Sequence, residues 1–115
     1  MTLGEKQRVF TLATAHLIIK AYELGYEGTH GDTYRDPRVF GAHGVKLGYG
    51  RGRSLHKLRL AYDLNLFRDG VYLTSTEDHK PLGEWWEAEY AQYDASWGGH
   101  FNDGNHYSFR HNGDR

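Results

Sequence analysis

Apolar residues in the first quarter of the chain recur at helical intervals. Val9, Leu12, Ala13, Leu17, Ile19 and Leu24, with His16 among them, follow one another mostly at three- and four-residue steps, the repeat of one helix face. Thr2-x-x-Glu5 is a capping-box pattern, and Gly25 is suited to close the segment, so the spacing predicts a helix from Glu5 to about Leu24. His16 lies on or beside that stripe and reads as a buried or boundary histidine with no ligand role.

A period of two governs the middle of the chain. Leu58, Leu60, Tyr62, Leu64 and Leu66 alternate with Lys57, Arg59, Ala61, Asp63 and Asn65; Arg68-Asp69-Gly70 turns the chain and Val71-Tyr72-Leu73 returns, a β-hairpin signature. Glu77 to about Tyr93, with Pro81, Leu82, Trp85, Trp86, Ala88 and Tyr90, reads as a second helix starting near Pro81, its two tryptophans in the core. Thr29–Tyr34 is a short extended stretch, Phe40–Arg53 a long glycine-rich loop, and Trp97–Phe109 a second glycine-rich loop entering a short strand. Loops of such length inside a small domain usually carry function. Residues 110–115 read as a frayed tail. Helix, strand, loop, hairpin, helix, strand is the order of a small single α+β domain, residues 1–115, with an antiparallel sheet packed against helices.

Composition narrows the chemistry. With 14 basic and 15 acidic residues, the chain is not a strongly basic nucleic-acid coat, and no nucleic-acid partner is expected. Apolar stretches are only a few residues long, so no membrane insertion is expected, and Met1-Thr2-Leu3-Gly4-Glu5 shows no secretory signal. There are 15 glycines, about twice the usual share, and 8 histidines but no cysteine. A transition-metal site would therefore be built from imidazole and carboxylate, a set that suits zinc.

Two constellations stand out. Asp63 lies on the strand face opposite the Leu/Tyr row, and His56 is seven residues upstream. An odd separation puts two side chains on opposite faces of a regular strand, so they meet only if the chain is irregular near Ser54–Lys57. Asp103-Gly-Asn-His106 can bring a carboxylate and an imidazole to one centre within a single turn.

Ser54-x-His56-(x)6-Asp63-Leu64 followed by Asp103-x-x-His106 resembles the zinc D-alanyl-D-alanine carboxypeptidase/dipeptidase family (peptidase family M15). The likeness is greatest to its phage endolysin branch, the L-alanyl-D-glutamate peptidases. Trp97-Gly-Gly and Phe101-x-Asp-Gly-Asn-His-Tyr-x-Phe109 extend the resemblance over about residues 5–109. It implies a hedgehog/DD-peptidase-like fold and a Zn2+ ion held by His56, Asp63 and His106. It also implies that Asp103 is the catalytic carboxylate, that Arg35 holds a substrate carbonyl or carboxylate, and that Ser54 supports the site. The implied substrate is a peptidoglycan stem peptide, cut by a monomeric endolysin made in the host cytoplasm and acting on the wall after release. The sequence departs from the family where Arg59 replaces a common glycine and Asn105 a common tryptophan.

Other readings remain open at this point. They are a D-Ala–D-Ala carboxypeptidase of the same family, an inactive wall-binding phage module, and remotely an HNH-type nuclease suggested by Asp78-His79 and Asn105-His106. His43 and His100 are expected to frame the cleft, while His30, His79 and His111 are expected at the surface. Lys46, Arg51, Arg53, Lys57 and Arg59 read as a solvated basic rim.

Overall fold

A computed structural model describes residues 1–48 and 52–115. Helix α1 runs from Leu3 to Glu23, and its capping box forms: the Glu5 N–H donates to Thr2 Oγ1 while Glu5 Oε1 accepts from the Thr2 N–H. The buried face is Phe10, Ala13, Leu17 and Ala21. That stripe is rotated from the expected one, leaving Leu12 and Ile19 exposed. His16 is also exposed rather than buried, its Nδ1 2.5 Å from Tyr90 Oη. Phe10 decides the rotation. Its ring meets the edges of Trp86 and Phe109, and one aromatic contributes more buried area than Leu12 or Ile19 alone.

The sheet is antiparallel, in the order β1-β2-β5-β4, with β3 also paired to β2. Its strands are β1 (Glu27–His30), β2 (Ala61–Arg68), β3 (Val71–Tyr72), β4 (Ala95–Trp97) and β5 (His106–Phe109). The expected hairpin is present: Arg68 pairs with Val71 around Asp69 and Gly70, both at positive φ, the conformation that a two-residue type I′ turn requires. On β2 the period-two row Leu60, Tyr62, Leu64 and Leu66 is buried, and burying each such side chain is worth about 1.5–3 kcal/mol. Strand β4 spans the gap between the expected helix and the glycine-rich loop and overlaps that loop only at Trp97. Three residues, Ala-Ser-Trp, are too short for an alternation to show.

The second helix is shorter than expected. A 3₁₀ turn, Thr76–His79, leads into α2, here Lys80–Glu89, and another 3₁₀ turn follows at Ala91–Tyr93. Trp86 is fully buried, and Trp85 is partly buried against the core. Trp86 stacks on Phe109 with ring centroids 5.4 Å apart. A four-residue helical turn, Pro37–Phe40, opens the long loop, whose positions 49–51, including Arg51 of the expected basic rim, lie outside the described residues.

Two further expectations are corrected. Lys57 is buried rather than on a solvated rim, because its ammonium donates to the carbonyls of Phe40 and Val45 at 2.8 and 2.5 Å. The tail is not frayed. His111 and Asp114 bridge each other, and the Asp114 carboxylate accepts from His43 and from two nitrogens of Arg53. Among the described residues no helix is long and apolar enough to cross a membrane.

Candidate metal centre

The strand pattern breaks where the spacing required it to. Leu55–Leu58 form a 3₁₀ turn rather than strand, and Arg59 then adopts the left-handed conformation at φ 57°. That conformation costs a residue with a Cβ roughly 1–2 kcal/mol. The turn reverses the expected facing of His56, and strand β2 resumes at Ala61 with Asp63 two residues on.

Asp63 and His106 are register partners across β2 and β5. Asp63 Oδ1 lies 3.3 Å from His56 Nε2 and 3.2 Å from His106 Nδ1, and the three ligand atoms lie within 4.8 Å of one another. Both imidazoles are buried, and Asp63 is half-buried. Sequence positions 56, 63 and 106 thus converge on one point. A group of this kind can hold a metal ion.

The hydrogen bonds test the fit. His56 Nδ1 is 2.8 Å from the Thr33 carbonyl, which only accepts, so Nδ1 carries a proton and Nε2 is the ring nitrogen left to face Asp63. Nε2 and the Asp63 oxygen, 3.3 Å apart, are close enough to share a proton or to face one cation. Two imidazoles and one carboxylate are a donor set that can bind a divalent transition metal. Burial pushes the Asp63 carboxyl up, but hydrogen bonds from His106 and His56, and their charge, outweigh it and hold the group at about 2. His56 has an outer acceptor of the kind that orients metal-bound imidazoles. By contrast, His106 Nε2 is buried without a hydrogen-bond partner.

Backbone contacts lock the centre in place. The β1–β2 pairing continues past His30, with Gly31 N–H donating to Asp63 O and Asp63 N–H to Asp32 O, each at 2.8 Å. A Cβ on Gly31 would sit 2.9 Å from that of Asp63. The 3₁₀ turn Gly98–Phe101 precedes Asp103, whose N–H donates to Gly98 O at 2.9 Å. Asp103 Oδ2 lies 3.9 Å from His106 Nδ1, with half of the side chain exposed. Asp103 is therefore beside the centre but open to solvent, unlike the three converging residues.

Ser54 and Arg35 support the loop. Ser54 Oγ caps the 3₁₀ turn by accepting from the His56 N–H at 3.2 Å and also accepts from Arg35 Nη1 at 2.8 Å. Arg35 is buried, not at the surface, and its Nη2 donates to Asp32 at 3.2 Å. Its own backbone N–H donates to His56 O.

Of the remaining histidines, His43 is engaged by Asp114 and His100 by Glu87. His30 is exposed and shares a hydrogen bond with Tyr62, and His111 is half-buried. His79 was expected at the surface but is buried, because its Nε2 donates to the Leu73 carbonyl. Sequence reasoning gave no role to Thr33, whose backbone carbonyl orients His56. Any residue type supplies that group, so no sequence signal could have found it.

No family model matches the chain, and a search of curated proteins returns no significant match.

Proposed function

We propose that this protein is a zinc-dependent peptidase that hydrolyses an amide bond in peptidoglycan stem peptides, the L-Ala–D-Glu bond in the first instance. The observation that carries the reading is the meeting of His56, Asp63 and His106 at one point with Asp103 Oδ2 3.9 Å from His106 Nδ1. The substrate class comes from the motif resemblance, and its order and spacing agree with that geometry.

His56, Asp63 and His106 would hold the ion. A zinc ion in such a site supplies Lewis acidity toward a carbonyl oxygen and makes water nucleophilic near neutral pH. Asp103 takes the proton of the attacking water at Oδ2 and passes it to the departing amine nitrogen, the work of a general base and then a general acid. Its half exposure suits that exchange, because a carboxylate sealed beside Asp63 would compete for the ion. Arg35 brings a buried guanidinium to the loop of His56, fixed by Ser54 and Asp32. It is assigned the substrate carbonyl, where a preorganised donor is worth about 10²–10³ in rate.

Purified peptidoglycan incubated with the zinc-loaded protein should release new amino and carboxyl termini, and chelation should stop the release. Asp103→Asn should bind zinc as before yet lose activity. Mass spectrometry of the fragments identifies the bond: L-Ala–D-Glu cleavage is expected, and D-Ala release would reassign the specificity. A zinc-loaded, folded protein that releases nothing would end the peptidase reading in favour of a binding module.

A further inference from the structure

We infer that the chain carries a second ligand site, separate from the metal centre, that binds a small carboxylate with a compact apolar body through Arg59. A cavity of about 280 Å³ opens between α1 and the start of β2, lined by Phe10, Thr14, Tyr34, Arg59, Ala61 and Tyr62 among others. That is close to the lower end of ligand pockets, about 300 Å³. Thr33 lines the cavity, while its carbonyl accepts from His56 of the centre.

Three observations point to an anion. Arg59 holds a left-handed backbone, φ 57°, that glycine would adopt at no steric cost. Its guanidinium lies over the Tyr34 ring, 3.9 Å from the centroid, yet donates no hydrogen bond to any described residue. Asp36, a carboxylate that feels its charge, is already engaged by the Arg38 side chain and N–H. Arg59 is exposed, and its donors form a planar fork, open to solvent, that matches a carboxylate.

The rest of the lining sets the class. Phe10, Tyr34, Ala61 and Tyr62 offer apolar surface. Thr14 donates its hydroxyl proton to the Phe10 carbonyl, and Thr11 to that of Gln7, so both hydroxyl protons are already committed. Arg59 is the one Lys or Arg in the lining, which matches a single negative charge better than a phosphate dianion.

Benzoate is the probe, titrated into the isotopically labelled protein with excess chelator present. Saturable shifts of the Thr33, Arg59 and Ala61 amide resonances are expected. Arg59→Gly, which relaxes the backbone and so should fold, should weaken binding roughly 10–100-fold. Thr14→Leu should also abolish it, by filling the cavity while Arg59 stays. Binding that needs zinc and shifts His56 and His106 instead would overturn the site. So would wild-type affinity in either variant, or inorganic phosphate binding as tightly as benzoate. None of these readouts depends on peptidase activity.

Discussion

Asp63 faces His106 directly across the antiparallel pairing of β2 and β5, its Oδ1 3.2 Å from the ring Nδ1. Strand register therefore holds two of the three prospective ligands, and a slip of one residue in either strand would turn its ligand to the face opposite the other. Asp63→Asn keeps the shape and removes the charge. Zinc affinity measured against a chromogenic chelator should fall by more than the roughly 10–100-fold that loss of an outer partner costs, with the fold retained by circular dichroism.

Gly98 is where the Asp103 turn has no room to spare. A Cβ there would lie 2.2 Å from Asp103 O and 2.7 Å from His106 Cβ. Gly98→Ala should destabilise the protein by about 1–3 kcal/mol, as overpacking does. It should also weaken zinc binding, read by thermal melts with and without the metal.

Ser54→Ala removes a cap and an acceptor for Arg35 at once. Loss of a cap alone costs about 0.5–2 kcal/mol. Under the proposed function, zinc stoichiometry should stay at the wild-type value while peptide release slows, since the guanidinium proposed to hold the substrate carbonyl loses its Ser54 contact.

His79 should give stability an acid limb. Burial holds its pKa below the usual 6.5, more than offsetting the Leu73 hydrogen bond and the charges of Asp78 and Asp103. The folded ring stays neutral where the unfolded chain takes up a proton, so its contribution is full above about 6.5 and is lost as pH falls toward the lower folded value. Urea midpoints of zinc-free protein between pH 7.5 and 5 should fall less steeply in His79→Gln than in the wild type.

Asp114 ties the tail to the loop through His43 and Arg53. Hydrogen bonds from Arg53, then from His43, hold its carboxyl below the ordinary range. Asp114→Ala should change global stability by no more than about 1 kcal/mol, yet hasten proteolytic cutting within residues 41–48. Equal cutting rates would show that the tail does not restrain the loop.

The parts of this fold that depend on local chemistry were legible in the sequence. Thr2 and Glu5 announced the helix start, Asp69-Gly70 the hairpin turn, and the Leu/Tyr alternation the buried side of β2. The odd spacing of His56 and Asp63 even demanded the irregular turn found at Leu55–Leu58. What escaped was decided by distant partners. Phe10 turns α1 away from Leu12 and Ile19, and the carbonyls of Phe40 and Val45 draw Lys57 inward. Leu73 buries His79, and Asp114 orders a tail that composition alone makes loose.

Trp97 is wedged between two glycines. A Cβ on Gly83 or Gly99 would fall 2.1 or 2.2 Å from its ring, and its indole N–H donates at 2.7 Å to the carbonyl of Gly104, the residue after Asp103. The turn that carries Asp103 and His106 is thus mechanically coupled to a chromophore. Ion capture and release should register in its ultraviolet emission, which gives the protein a built-in optical gauge of its own occupancy without any attached dye.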